Sequence, residues 1–339
     1  VTGYYPSIAI VNWLYPAHIG PVFTEVYRSI RDERAAAKLS GDVVTAGTLK
    51  LSNNGAFGKT NDKYSVLHDP QCMMGITVNG QLLQCMLAEA VLRVPGSRLL
   101  QLNTDGLTVE LPRSQRELFD NICSWWMRQT CLELEFTEYQ DMWLRDVNNY
   151  LARDVRGKMK RKGAYDHEML SGSIGGQKAW NRDFSALVVP KGAEAAFLYD
   201  HDPVDFVAHH DRAYDFLLRE RVKGGSRLEF GHTGTRLGRL VRYYIATSGE
   251  PLVKIMPPLK GKTEPRRIGI HAEGRAKAIG SRKDYQCSMC GERFMLKSMF
   301  DEHNKTRHAW PVRLKMQWDG RLDDINHDWY VQEIENLLF

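Results

Sequence analysis

The chain has 339 residues, 43% hydrophobic and 26% charged, with a formal net charge of +5. That length accommodates two or three domains with substantial cores, and the composition is that of an ordinary soluble protein. No run approaches the ~18 apolar residues that cross a bilayer, and the start does not read as a secretory signal.

Val1 to Val11 reads as a strand that breaks at Pro6-Ser7, and a chain that opens in this way on Val1 is expected to be a fragment. Residues 24–39 have helical spacing, with Val26, Ile30 and Ala37 on one side. Gly41-Asp42 then breaks the chain, and residues 43–57 form a second helix, giving a helical hairpin. Arg34 and Lys38 are four apart on one helix, and Lys50, Asn54 and Phe57 share a face of the other. Three cations converging in this way suit a triphosphate, because phosphoryl transfer depends on positioning and charge neutralisation. A solvated basic helix is the alternative, and the two glycines of Asn54-Gly55-Ala56-Phe57-Gly58 weigh against it.

A helix from Gln81 to Leu92 should pack beneath a sheet. Gln101 to Glu110 reads as two short strands joined by Thr104-Asp105-Gly106, a tight hairpin turn. The turn presents Asp105 at its tip, where a carboxylate can hold a divalent cation; Asp-Gly is also common in turns that bind nothing. Residues 114–129 form an amphipathic helix with Leu118, Ile122, Trp125 and Trp126 inward. Strands are expected at Glu133–Tyr139 and Asp141–Leu151.

Residues 153–162 then hold six Lys/Arg against Asp154, and residues 254–283 hold nine against Glu264 and Glu273. Such blocks suit a polyanion such as nucleic acid, or form a solvated face. Between them come a strand at Ala186–Pro190, a helix near Val204–Arg219 and a strand at Arg239–Ile245. Cys72, Cys85, Cys123 and Cys131 read as buried thiols. With no secretory signal, the expected setting is a reducing cytoplasm.

Cys287 and Cys290, then His303 after twelve intervening residues and His308 after four more, have the spacing of a tetrahedral zinc site. Phe294 and Phe300 fall where a small finger keeps its core. The helix positions that would reach base edges are Leu296, Met299 and Glu302, a poor set for reading DNA, so a structural or backbone-contacting finger is expected.

Four segments, Gly3-Tyr4-Tyr5-Pro6-Ser7, Lys50 to Gly58, Asn103-Thr104-Asp105-Gly106 and Lys160-Arg161-Lys162-Gly163-Ala164-Tyr165, together resemble in this order the motifs of family B DNA polymerases, particularly the phage type. In that family the first motif is an aspartate, two variable residues, a small residue, an apolar residue and Tyr-Pro-Ser. Thr2 to Ser7 fit it, and the aspartate falls immediately before Val1. The second motif is Lys, three residues, Asn-Ser, one residue, Tyr-Gly; here Gly55 replaces the serine and Phe57 the tyrosine. The third is usually Asp-Thr-Asp, and Asn103 replaces its first carboxylate, as in some phage members.

The resemblance covers about residues 1–260 and the last fifteen or so, where Asp323–Leu338 resembles the family's terminal helix. It implies an α+β fold: a palm of antiparallel sheet with packing helices (1–23 and 61–152), helical-hairpin fingers (24–60) and a mixed thumb with primer grip (153–260). A basic linker (261–284), the zinc finger (285–309) and a C-terminal helix region (310–339) follow. It implies DNA-directed DNA polymerase activity, with two Mg²⁺ ions held by Asp105 and the missing aspartate, and one structural Zn²⁺ in the finger.

By the same resemblance Arg34, Lys38, Lys50, Asn54 and Phe57 bind the incoming nucleotide and Tyr5 excludes ribonucleotides. Thr104, Lys160, Lys162 and Tyr165 hold primer DNA. The implied partners are template-primer DNA, deoxynucleoside triphosphates and replication accessory proteins, in a host cytoplasm and with no membrane. Two rivals remain: a non-catalytic nucleic-acid-binding remnant of a polymerase, favoured by Asn103 and the absent aspartate, and a zinc-finger regulator with an unrelated body.

Overall fold

The computed structural model describes residues 3–167, 184–271, 278–279, 285–315 and 321–338. It is a mixed α+β structure of helices and small sheets that divides into two compact units. The first holds the described residues up to Asn148 with Ala152–Lys160; the second holds Asn149–Leu151 and the described residues from Arg161 onward.

The first unit is built around α1 (Tyr4–Val11), where a strand was expected. The run Tyr-Tyr-Pro-Ser-Ile-Ala-Ile-Val is apolar at either period, so its pattern alone does not separate strand from helix. Pro6 decides it: it stands in the first helical turn, where a missing N–H has no intrahelical partner to lose. The next helices, α2 (Val22–Leu39), α3 (Val43–Lys59) and α4 (Pro70–Val91), begin close to sequence signals. Asp42 caps α3 by accepting from the Thr45 N–H; Asp69 caps α4 from the Cys72 N–H, with Pro70 just inside.

Ile8, Ala9 and Ile10 of α1 are buried with Phe23 and Tyr27 of α2, Cys72, Ile76 and Leu87 of α4, and Trp126 of α5 (Arg116–Thr130). Trp126 is wholly buried and donates its ring N–H to the Leu83 carbonyl. The inward faces differ from expectation. On α2 they are Phe23, Thr24, Tyr27 and Ala37, with Val26 exposed; on α5 they are Cys123, Trp126 and Thr130, with Leu118 and Trp125 turned out. In each helix the inward stripe runs through one buried ring, Tyr27 or Trp126, and the apolar residue immediately before it in sequence, Val26 or Trp125, lies about 100° round the helix and faces out.

Two cysteines also depart, since Cys85 and Cys131 are exposed. Cys72 and Cys123 are buried, and burial pushes their thiols up to about 11 and about 12.

The expected hairpin is present as β1 (Arg98–Leu102) and β2 (Leu107–Glu110), antiparallel with Leu102 opposite Leu107. A three-stranded sheet follows in the order β3 (Tyr139–Asp146), β4 (Asn149–Asp154), β5 (Met159–Lys162). Residues 132–138, expected as a strand in large part, join no ladder: Phe136 is exposed, so alternation there reflects no buried face.

The second unit is organised by β8 (Leu240–Met256). Its first half pairs with β6 (Leu218–Arg221) and β13 (Pro311–Leu314), its second with β7 (Arg227–Phe230) and β9 (Arg266–Gly269). Gly249 marks the change of partners. Its φ of +135° suits glycine alone, and a Cβ there would lie 2.6 Å from the Val312 carbonyl oxygen. Against the first half packs α9 (His327–Leu338), whose buried Tyr330 hydroxyl donates to the Phe216 carbonyl and accepts from the Ile245 N–H.

The expected strand at Ala186–Pro190 is the start of α6 (Val188–Tyr199), with Pro190 again in a first turn. The expected helix over 204–219 is only α7 (Pro203–Ala208), a 3₁₀ turn and β6. Asp215 stops it: this carboxylate, wholly buried, accepts from Lys191 at 2.6 Å and His210 at 2.8 Å, which pins the turn.

On α6, Glu194 receives a bidentate Arg161 and His167 at 2.7 Å. Burial raises this carboxyl, but the His167 and Arg161 hydrogen bonds and charges outweigh it and hold it down to about 2, against an ordinary 4.5. A depressed folded value means stabilisation that is complete above pH 4.5 and is lost as pH falls towards 2, on the order of 3 kcal/mol in full. Urea denaturation followed from pH 6 to pH 2.5 is expected to show that loss in the native chain and a flatter profile in Glu194→Gln. Equal slopes would remove Glu194 as the cause.

Candidate nucleotide site and metal centre

Within the first unit, α1, the α2–α3 hairpin and the β1–β2 turn converge on a cavity of about 380 Å³. Gly3 to Pro6 form one wall; Arg34 and Lys38 enter from α2; Lys50, Asn53, Asn54 and Phe57 enter from α3; Thr104 and Asp105 close it from the turn. The four-residue and seven-residue spacings on the two helices thus put their functional side chains on faces that meet. Of the eleven described residues expected to serve nucleotide or primer, eight line this one cavity: six from the first three motifs, with Arg34 and Lys38 from α2.

The Tyr5 ring stacks on Phe57 with centroids 4.2 Å apart and planes 17° from parallel. Burial, and then the negative charge of Asp105, raise the Tyr5 hydroxyl above its ordinary value. Tyr4 faces the core, donating its hydroxyl to the Gly80 carbonyl. Arg34 Nε donates to the Ala46 carbonyl at 3.3 Å, which ties the guanidinium to α3. The turn carrying Asp105 is held by Asn103: its N–H donates to the Gly106 carbonyl at 3.0 Å, and its side-chain oxygen accepts from the Asp105 N–H at 3.2 Å. Asn103 therefore does turn chemistry that either an Asn or an Asp side chain can do.

Sequence reasoning missed Glu135 and Asn53. Glu135 lines the cavity and meets Lys38 at 3.3 Å across 97 residues of sequence; no local pattern could have found that pairing. Asn53, beside the expected Asn54, is buried, and its backbone carbonyl accepts from the Tyr27 hydroxyl at 2.6 Å.

The primer-binding expectations divide. Lys160 and Lys162 are exposed on β5, and Lys160 Nζ reaches the Tyr139 hydroxyl at 2.8 Å. Tyr165 is a core residue of the second unit, 1% exposed with its hydroxyl bonded to the Leu337 carbonyl, and so has no surface to offer DNA. None of the three lines the cavity.

The candidate metal ligands lie in the second unit, in a small domain of β10 (Ala278–Ile279), β11 (Tyr285–Cys287), β12 (Arg293–Phe294) and α8 (Lys297–Arg307). One ligand atom each from Cys287, Cys290, His303 and His308 lie within 4.8 Å of one another, a set that can bind a metal such as zinc. Phe300 and Cys287 form the core, with Tyr285 and Phe294 against them, as expected for the two phenylalanines. His303 turns Nε2 towards Cys290 and His308, while Nδ1 meets Glu292 at 3.3 Å. A carboxylate behind a ligating imidazole orients the ring and raises its basicity. Leu296 and Met299 are exposed apolar side chains, in keeping with a finger that does not read bases.

Among the described residues no helix is long and apolar enough to cross a membrane. No family model matches the sequence, and no curated protein matches it. Among solved structures, the chain is similar to a family B DNA polymerase from the hyperthermophilic archaeon Pyrobaculum calidifontis, with 12% sequence identity and a TM-score of 0.45. The match covers 99% of this chain and 43% of that one, so this chain spans less than half of that polymerase's length. The likeness is remote, and the functional reading stands on the cavity.

Proposed function

We propose that the cavity binds a deoxynucleoside triphosphate and that the chain is a DNA-directed DNA polymerase core, adding nucleotides to a primer 3′-hydroxyl on a template. The carrying observation is the convergence of Arg34, Lys38 and Lys50, the Tyr5–Phe57 stack and Asp105 on one cavity from three distant segments. Three cations against Asp105 and Glu135 leave one positive charge in excess, which suits a polyanionic tail.

In this reading the cations neutralise and orient the phosphates, work that makes up most of the catalysis of phosphoryl transfer. The stacked rings give a flat apolar wall for sugar and base, with Tyr5 as the side that refuses a 2′-hydroxyl. Asn54 completes the nucleotide contacts, and Thr104, Lys160 and Lys162 serve the primer strand through its backbone.

The donor set fits Mg²⁺: such an ion takes oxygen ligands, commonly one or two carboxylates plus substrate phosphates, and Asp105 is an exposed carboxylate at the cavity. When bound, the metal lowers the pKa of the attacking hydroxyl and stabilises the departing pyrophosphate. Cys287, Cys290, His303 and His308 hold one Zn²⁺ with a structural role.

Titration of deoxynucleoside triphosphate into the chain tests the reading. Lys50→Ala is expected to weaken binding by about ten-fold or more, the loss of one charge-assisted phosphate contact. Lys162→Ala, away from the cavity, is expected to leave nucleotide affinity unchanged and to weaken primer-template binding. Nucleotide affinity that is indifferent to Lys50 would remove the cavity as the site.

A further inference from the structure

Resting on the nucleotide reading of the cavity, we infer that Glu135 is a competitor for the phosphate tail: its carboxylate holds Lys38 in the position an incoming phosphate must take over, and so sets the cavity's affinity for polyanions. Lys38 Nζ and Glu135 Oε1 stand 3.3 Å apart, and both residues line the cavity. The pair is half open to solvent, with 44% of the lysine and 65% of the glutamate side chain exposed. An ion pair so placed is weak and exchangeable. A triphosphate with several charges can displace one carboxylate, whereas a singly charged anion gains little by doing so.

The placement of Glu135 supports this role. Glu135 is an exposed position of a segment whose Leu132 and Leu134 are anchored in the core, so its side chain can swing away while the backbone stays in place. Arg34, by contrast, is tied to the Ala46 carbonyl, a neutral acceptor that does not compete for charge. Lys38, in contrast to that tie, meets a charged carboxylate that itself lines the cavity. The consequence is selection by charge: Glu135 costs every ligand the same displaced contact, and only ligands of high negative charge more than recover it.

The test uses the full chain without divalent metal and measures binding of inorganic tripolyphosphate and of orthophosphate by calorimetry at low ionic strength. Glu135→Gln is expected to bind tripolyphosphate about two- to five-fold more tightly than the native chain and to narrow its preference over orthophosphate. The double variant Lys38→Ala/Glu135→Gln, compared with Lys38→Ala alone, is expected to show less than a two-fold difference, because the competition requires both partners.

Unchanged or weaker binding by Glu135→Gln overturns the inference while leaving the site standing. A gain of the same size in the Lys38→Ala background also overturns it, since the effect is then one of net charge. If neither native chain nor variants bind tripolyphosphate, the nucleotide reading itself fails and the inference goes with it. Circular dichroism of each variant separates these results from misfolding.

Discussion

Asp105→Asn should lower primer extension at least about a thousand-fold in a chain supplied with an aspartate directly ahead of Val1, measured with Mg²⁺, deoxynucleoside triphosphates and a primed template. The expectation follows from charge, since the two side chains are nearly equal in size. A neutral amide oxygen is a poor ligand for a hard cation that keeps only one or two protein carboxylates. Loss of one preorganised electrostatic partner of a phosphoryl-transfer site costs on the order of 10² to 10³ in rate, and loss of a metal anchor removes more than one such partner.

The substitution leaves the turn's backbone bonds in place: Asn103 still accepts from the residue-105 N–H, and its own N–H still reaches Gly106. Thermal stability should therefore match the parent, and metal-free tripolyphosphate binding should be no weaker, since a negative charge is removed from the cavity; together these separate lost chemistry from lost structure. A fall of less than ten-fold would show that Asp105 does not anchor the metals. Primer binding without extension in either protein would favour the non-catalytic remnant.

Removal of the finger's metal should have the largest effect on structure. Apart from its ligands, residues 285–308 have only Tyr285, Phe294 and Phe300 to pack together, far too little to fold a domain of that size alone. Structural zinc contributes on the order of 10–16 kcal/mol in such peptides near neutral pH. A strong chelator, or Cys290→Ser, is expected to release one zinc per chain and unfold α8, with loss of hydrogen-exchange protection through residues 285–308. Cobalt substitution should give the absorption of a tetrahedral two-sulfur, two-nitrogen site in the parent and not in the variant.

The damage should also reach the bonds by which Arg307 is fixed to the Gly231 and His232 carbonyls, at 3.0 and 3.3 Å. Deoxynucleoside triphosphate affinity belongs to the other unit and should survive. A finger that keeps its protection without metal would overturn the structural role.

What could be read in the sequence was whatever local rules govern. The α2–α3 hairpin, the Asp105 turn and the zinc ligands each depend on residues within about twenty positions, and the structure has them where spacing put them. Misreadings came where a short apolar run fits two periods: Val1–Val11 and Ala186–Pro190 both read as strands, whereas Pro6 and Pro190 each stand in the first turn of a helix. Tyr165 was misassigned for another reason. Its neighbours Lys160 and Lys162 are exposed, and nothing in the intervening residues signals that its ring joins a core completed at Leu337, 172 positions later. Glu135 was beyond reach for the same cause, its partner being 97 residues away.

The partners of β8 have a consequence for the order in which the protein comes into being. The first unit is drawn mainly from residues up to Asn148 and can collapse early as the chain leaves the ribosome. The second cannot: β8 waits for β13 at Pro311–Leu314, and the Ile245 N–H waits for the Tyr330 hydroxyl. Synthesis proceeds at roughly 5–20 residues per second, so the stretch of the 17-residue strand that pairs with β13 is left with an unpaired edge for several seconds after β6 and β7 are available. Gly249, which turns the strand midway, also interrupts the longest straight edge that another nascent chain could pair with.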